Sequence, residues 1–153
     1  MAANQRELVT AATLALPQFV SAVTRFHTAV ADQLGITPTQ LHCLQLVHSG
    51  VSDSPAELAR LLGLTTGAFT RLLDRMEDQQ LVRRLPDPED RRRLKVALTG
   101  NRMAELAELY GTLARRFAGQ LGGFDRRQLA ALVSFFAEGQ TSAERAAEEV
   151  RQK

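Results

Sequence analysis

Three helix-start signals follow one another in the middle of the chain, and no other feature of the sequence limits the fold as strongly. The first lies in "ITPTQLHCLQLV". Thr37 is a favoured N-cap residue, and Pro38 suits the first helical position. Gln40 stands three residues after the cap, where its side chain can bond back to the cap's backbone N–H. We therefore predict a helix that begins here and ends near His48.

The second signal lies in "SPAELARLLG". Ser54 and Glu57 have the spacing of a capping box, and Ser54 is expected to cap the helix. The pattern predicts a helix of about eight residues with a leucine face. Gly63 favours the left-handed conformation that ends a helix. The expected buried residues are Leu58, Leu61 and Leu62.

The third signal lies in "LTTGAFTRLLDRMEDQQ", where either Thr65 or Thr66 can cap a longer helix. One face of this helix is apolar and the other is polar. A short helix, a turn that contains glycine and a longer helix together form a helix-turn-helix pattern. The expected apolar face consists of Phe69, Leu72, Leu73 and Met76.

Two short segments with alternating polarity come next, "LVRRL" at 81–85 and "LKVAL" at 94–98. In the second, Leu94, Val96 and Leu98 point to one side, as in a half-buried strand. Pro86 and Pro88 cannot continue a ladder of hydrogen bonds and suit the loop between the strands. We predict an antiparallel hairpin whose tip carries three consecutive arginines.

Apolar stripes with helical spacing occupy both ends of the chain. The first covers 6–34, and Pro17 is expected to kink this helix or to make it restart. The second runs from Thr99 to the break at Gly122 and Gly123. A last helix begins at the capping box of Asp125 and Gln128. The predicted fold class is mainly α with a small β-hairpin, divided into an N-terminal helix (1–35), a central lobe (36–99) and C-terminal helices (100–153).

These terminal stripes hold more apolar surface than a small lobe can cover. We expect them to pack against a second copy of the chain as a dimerisation region. The alternative is a monomer in which the terminal helices cover each other. The residues expected at the dimer contact are Leu8, Leu16, Phe19, Leu129, Val133 and Phe136.

The overall composition says less about the class of protein than the positions of the charged residues do. The formal net charge is +2 and the sequence pI is about 9.2, which indicates no particular partner by itself. We expect no signal peptide and, without an apolar run of about 18 residues, no membrane span. The single cysteine, Cys43, cannot form an internal disulfide, and these features favour the cytoplasm. No phosphate loop, nucleophile elbow, zinc motif or dinucleotide fingerprint is present, so neither an enzyme nor a cofactor is expected.

Three stretches resemble the MarR family of bacterial transcriptional regulators. "SPAELARLLGLTTGAFTRLLDRMEDQQLVRR" is similar to that family's helix-turn-helix and following strand. "DPEDRRRLKVALT" is similar to its wing, and "ITPTQLHCLQLV" to the preceding helix. Gln80 and Arg102 depart from the pattern, because each stands where the family often has glycine.

The resemblance implies a winged helix-turn-helix that binds double-stranded DNA. The start of the second helix would read base edges in the major groove, and the wing would insert Arg92 into the minor groove with Asp90 fixing its direction. Ser54 would contact the DNA backbone at a helix start. The expected recognition-helix contacts are Thr65, Thr66, Gly67, Ala68, Thr70, Arg71 and Arg75, and the wing contacts are Asp90, Arg91, Arg92, Arg93 and Lys95.

By the same resemblance, a homodimer would bind a pseudo-palindromic operator, usually as a repressor, and a small aromatic or anionic effector would release it. The expected effector pocket draws on Phe26, His27, His42, Leu46 and Tyr110.

Three alternatives remain open at this point. One is a winged helix used only for protein contacts, and another is a redox-responsive regulator that uses Cys43. We favour a buried, inert Cys43 thiol. The third is zinc sensing, which is disfavoured because His27, His42 and His48 lack helical ligand spacing.

Overall fold

A computed structural model describes residues 4–152, and the fold it shows is mainly helical with one antiparallel hairpin. The prediction of a mainly α fold with a small β-hairpin is therefore confirmed. The elements are α1 (Gln5–Leu34), α2 (Pro38–His48), α3 (Pro55–Leu61), α4 (Thr66–Asp78), β1 (Val82–Pro86), β2 (Leu94–Leu98), α5 (Gly100–Leu121) and α6 (Arg126–Arg151).

Most of the predicted helix starts are confirmed by side-chain caps. At α2, the backbone N–H of Gln40 donates to Thr37 Oγ1 at 3.2 Å, and Gln40 Oε1 accepts from the Thr37 N–H at 2.9 Å. The same reciprocal pair joins Asp125 and Gln128 at the start of α6. Of the two threonines that could cap α4, Thr65 does so.

The capping box predicted for α3 is wrong. Ser54 occupies the N-cap position, but its side chain makes no capping hydrogen bond. The Ser52 hydroxyl instead bridges the two residues, since it accepts from the Ser54 N–H at 3.1 Å and donates to Glu57 at 3.0 Å. Only Leu58 of the three expected leucines is fully buried, and Ala59 joins it.

Pro17 lies inside α1, which is continuous from Gln5 to Leu34 and does not restart there. Within the described residues, α1 is long and apolar enough, by length and composition, to cross a membrane, although the sequence has no unbroken apolar run. None of its most apolar window is buried within the chain. Helices in the core or at an interface of a soluble protein share this composition, so it does not identify a membrane segment by itself.

The hairpin has the predicted antiparallel pairing, with Val82 opposite Leu98 and Pro86 opposite Leu94. Pro86 was expected in the loop but forms the last position of β1, a strand end where a missing N–H is tolerated. Val96 and Leu98 are buried, whereas Leu94 remains exposed. The row of buried side chains on β2 therefore ends at Val96, before the tip of the hairpin.

The buried core of the lobe is shared by α2, α3, α4 and the hairpin. The side chains of Leu44, Leu58 and Met76 are fully buried there, one from each of the first three helices of the lobe. Strand β2 packs against α2 and α3, and the Val96 N–H donates to the Asp53 carbonyl at 2.8 Å. These contacts hold the helix-turn-helix and the hairpin together as one lobe.

The end of α4 contains an uncommon backbone conformation. Gln80 has φ 55°, a left-handed value that glycine adopts most easily. The Thr99 hydroxyl donates to the Gln80 carbonyl at 2.7 Å and holds this turn in place. Gln80 therefore adopts a conformation typical of glycine at a position where the resembling family often has glycine.

The chain divides into two compact units, one that extends to Glu105 and one that begins at Leu106. The first contains α1, the lobe and the start of α5. In the second, α6 has no buried residue among those described.

Candidate nucleic-acid interface

The polar face of α4 is exposed, as expected for a recognition helix. Phe69, Leu73 and Met76 are buried on its other side. A side chain at Gly67 would meet no described atom within 4 Å, so the fold itself does not require glycine there. The predicted contact residues Thr65, Thr66, Gly67, Thr70, Arg71 and Arg75 are exposed, and Ala68 is half-buried.

Two threonine hydroxyls on this helix already have partners within the chain. Thr65 Oγ1 accepts from the Ala68 N–H at 3.2 Å, and the Thr70 hydroxyl donates to the Thr66 carbonyl at 2.9 Å. Thr65 therefore keeps its hydroxyl hydrogen as a donor, while Thr70 keeps its acceptor positions and its methyl group. The two residues present different chemistry to a partner.

The loop between β1 and β2 is ordered by its acidic residues. The Arg93 N–H donates to the Asp90 carbonyl at 2.8 Å, and the Asp87 N–H donates to the Arg93 carbonyl at 2.9 Å. Asp90 Oδ1 accepts from the Arg92 N–H at 3.0 Å. Asp90 thus contacts the Arg92 backbone and not its guanidinium.

The arginines of this loop differ in their surroundings. Arg93 Nε lies 3.5 Å from Asp90 Oδ2. Within residues 4–152, Arg91 and Arg92 form no ion pair, and both are exposed. Two guanidinium groups at the tip are therefore available to an anionic partner.

Lys95 is held more tightly than the sequence suggested. Its Nζ lies 3.4 Å from an Asp53 oxygen and 3.8 Å from an Asp87 oxygen. It lines a groove of about 620 Å³ between the start of α3 and the hairpin, together with Ser54 and Arg92. Ser54 and the wing are thus brought together, while the charge of Lys95 is largely neutralised.

A charged cluster that the sequence did not indicate joins α4 to β1. Arg84 Nη2 donates to Asp74 at 2.6 Å, Nη1 donates to Glu77, and the Arg84 N–H donates to Glu77 Oε1 at 2.7 Å. Burial disfavours the charge, but Asp74 and Glu77 outweigh it and raise the pKa of Arg84. The available signal was a pair of acids three residues apart on α4, followed by arginine on the next strand.

A groove of about 290 Å³ lies between α1 and α2. His27 and His42 of the expected effector pocket line it, whereas Phe26 and Leu46 do not, and Tyr110 belongs to the other unit. Burial, together with the charge of His42, lowers the pKa of His27. The remaining lining residues are Thr24, Thr28, Pro38, Leu41 and Gln45.

Cys43 is fully buried, and burial raises the pKa of its thiol to about 11. A thiol with this pKa holds little thiolate near neutral pH and reacts slowly. The structure therefore does not support Cys43 as a redox sensor.

The residues expected at the dimer contact are mostly exposed within the single chain. Leu8 and Phe19 on α1 are 58% and 45% exposed, and Val133 and Phe136 on α6 are 67% and 54% exposed. Leu16 is also exposed, and Leu129 is half-buried.

Comparison with known proteins gives matches along most of the chain. A family model described as the MarR family matches residues 34–93. The uncharacterized HTH-type transcriptional regulator YcgE of Bacillus subtilis is 30% identical over 110 residues, which is 72% of this chain and 71% of that protein. The multiple antibiotic resistance protein MarR of Escherichia coli K12 is 39% identical over 66 residues, which is 43% of this chain and 46% of that protein.

The fold also matches solved structures. A MarR family protein from Bacillus stearothermophilus aligns with a TM-score of 0.64 and 21% identity, over 94% of this chain and 99% of that chain. At this level of identity the likeness supports the fold.

Proposed function

The chain belongs to the MarR family of transcriptional regulators, which are not enzymes, and on that premise we propose that it is a cytoplasmic, ligand-responsive repressor that binds a pseudo-palindromic operator as a homodimer. The observation that carries the proposal is the pairing of an exposed polar helix face with a hairpin tip. Arg91 and Arg92 at that tip have no ion pair among the described residues.

The recognition helix supports contacts in the major groove. Open space around Gly67 allows the backbone to approach base edges closely, and Thr70 offers a methyl group for a thymine methyl. Arg71 and Arg75 are exposed one turn apart, so the first can reach a guanine or a phosphate and the second a phosphate.

The wing supports insertion into the minor groove, whose negative potential attracts arginine. Arg92 is the proposed inserted residue, since Asp90 binds its backbone and leaves its guanidinium free of acids. Arg91 and Arg93 would contact phosphates. Lys95 is a weaker candidate, because Asp53 and Asp87 already neutralise it.

The exposed apolar faces of α1 and α6 support a homodimer, since a second copy would bury them. Two recognition helices on a two-fold axis would then bind half-sites about one helical turn apart.

The groove between α1 and α2 supports a response to a small aromatic or anionic effector. His27 and His42 can donate to a carboxylate, and Leu41 supplies an apolar wall. An effector that favours one spacing of the recognition helices would change the population able to bind DNA. Calorimetry with benzoate, on the wild type and on His42→Ala, tests this part of the proposal.

Substitution of Arg92 tests the DNA-binding proposal. We expect Arg92→Ala to weaken binding about tenfold to the duplex that the wild type enriches from a random-sequence pool, measured by fluorescence anisotropy. Arg145→Ala, which removes the same charge from α6, is the matched control and should bind as the wild type does. Unchanged binding by Arg92→Ala would contradict the role of the wing, and a wild type that enriches no duplex would favour a winged helix that contacts only proteins.

A further inference from the structure

Arg84 connects the recognition helix to the first strand of the wing. Its guanidinium binds Asp74 and Glu77, which lie three residues apart on α4, and its own backbone N–H also donates to Glu77. The Arg84 side chain is only 24% exposed, whereas Asp74 is 56% exposed. The cluster therefore holds a mostly covered cation against an acid that faces solvent.

Asp74 lies on the helix face that the proposed function directs toward DNA. It follows Thr70 by four residues and Arg71 by three, and residues at these spacings share one face of a helix. The opposite face contains the buried side chains of Phe69 and Leu73. A carboxylate in this position would be repelled by the phosphates that border the major groove.

The charges of α4 alone do not favour DNA. The helix carries Arg71 and Arg75 but also Asp74, Glu77 and Asp78, so the acids outnumber the bases. Arg84, which pairs with Asp74 and Glu77, supplies the compensating positive charge, and it lies on β1 and not on α4.

We propose that Arg84 is a positioning residue for DNA binding, which draws Asp74 and Glu77 toward the wing and neutralises them so that the recognition helix can approach phosphate. This inference rests on the proposed function, since it explains how α4 meets DNA. Arg84 itself does not touch DNA in this arrangement. It acts through the two acids, and it ties the electrostatics of the helix to the position of the hairpin.

The test compares removal of the cation with removal of the acids. Arg84→Met keeps the unbranched part of the side chain as far as Nε, leaves two uncompensated carboxylates near the phosphates, and should weaken binding to the enriched duplex about tenfold. Asp74→Asn with Glu77→Gln, added to Arg84→Met, should restore binding to within about threefold of the wild type. Arg83→Met is the matched control, because Arg83 is the exposed neighbour on the other side of β1, and it should weaken binding less than Arg84→Met does.

The acid substitutions also test the proposal without any change at Arg84. Asp74→Asn with Glu77→Gln in the wild type frees the Arg84 charge and should bind DNA as tightly as the wild type or tighter. A merely structural clamp predicts the opposite, because the same substitutions would loosen the contact between α4 and β1. Thermal unfolding of each variant shows whether it is folded, and this acid pair decides the matter if Arg84→Met does not fold.

The outcomes separate this inference from the proposed function. Weak binding by the triple variant, weaker binding by the acid pair, or an equal loss in Arg83→Met would each overturn the role of Arg84 while DNA binding by the wild type stands. A wild type that binds no duplex would overturn both. Restored binding in the triple variant supports the inference.

Discussion

The central lobe and α6 use apolar residues in opposite ways. In the lobe, Leu44, Leu58 and Met76 are fully buried by neighbours from the same chain. In α6, none of the described residues is buried, and Val133 and Phe136 are mostly exposed. The lobe therefore has a core that its own chain covers, whereas α6 has an apolar face without such cover in the single chain.

This difference separates two roles. The lobe would contact DNA, and α6 would hold two copies of the chain together. A winged lobe with its own core can keep its recognition surface rigid. A helix whose apolar face needs another molecule makes the active arrangement depend on assembly.

The largest effect is expected when charge is placed on the apolar face of α6. Val133→Asp with Phe136→Asp should raise the dimer dissociation constant about a thousandfold, because two carboxylates would have to be buried. Ala131→Asp with Ser134→Asp puts the same charge on the other side of α6 and should leave the dimer intact. Analytical ultracentrifugation measures both, and an unchanged dimer in the first variant would show that α6 is not the contact.

The next effect concerns the core of the lobe. Leu44→Ala should lower the free energy of unfolding by about 3 kcal/mol, since it removes a fully buried side chain and leaves a cavity. Leu14→Ala, the same truncation at a position that is 68% exposed on α1, should change it by less than about 0.5 kcal/mol. Urea denaturation compares them, and an equal loss in both would mean that α1 is covered on that side as well.

A smaller effect of opposite sign is expected at the turn after α4. Gln80→Gly should stabilise the lobe by about 0.5 kcal/mol, because relief of the left-handed strain exceeds the added entropy of the unfolded chain. Gln79→Gly should destabilise it, since the Gln79 side chain accepts from the buried Gln40 at 2.6 Å. If thermal unfolding shows a loss for both variants, the conformation at Gln80 carries no strain.

The smallest effect is a pH dependence at His27. Because the pKa of His27 is lower in the folded chain, the unfolded chain binds a proton at a higher pH than the folded chain does. The contribution of His27 to the free energy of unfolding is therefore constant above about pH 6.5 and falls as the pH drops below that value. His27→Gln should reduce the loss of stability between about pH 7.5 and pH 5.5, and the exposed His48→Gln should not. Urea midpoints at the two pH values give the comparison, and identical losses in all three proteins would contradict it.

Local signals allowed most helix boundaries to be predicted from the sequence. The caps at Thr37, Thr65 and Asp125 depend on residues at most three positions away, so spacing alone identifies them. The prediction at Ser54 failed for a physical reason of the same kind. Ser52 lies close enough to bind both Ser54 and Glu57, and its hydroxyl accepts from the Ser54 N–H in place of the Glu57 carboxylate.

The parts of the candidate interface that the sequence did not predict depend on contacts across elements. The salt bridges of Lys95 join β2 to Asp53 and Asp87, and Arg84 binds acids on a different element. The pairs with Asp53, Asp74 and Glu77 require the hairpin to pack against the helices. The sequence therefore indicated which residues are charged but not which charges are already neutralised.

The burial of Cys43 gives the protein a practical property. Because the sequence has one cysteine and its thiol is enclosed, a cysteine added at the surface would be the only readily labelled thiol of the native chain. Arg91→Cys would place a fluorophore or a spin label at the tip of the hairpin. In an assembly of two copies, the spectroscopic distance between two such labels would report the separation of the wings directly in solution.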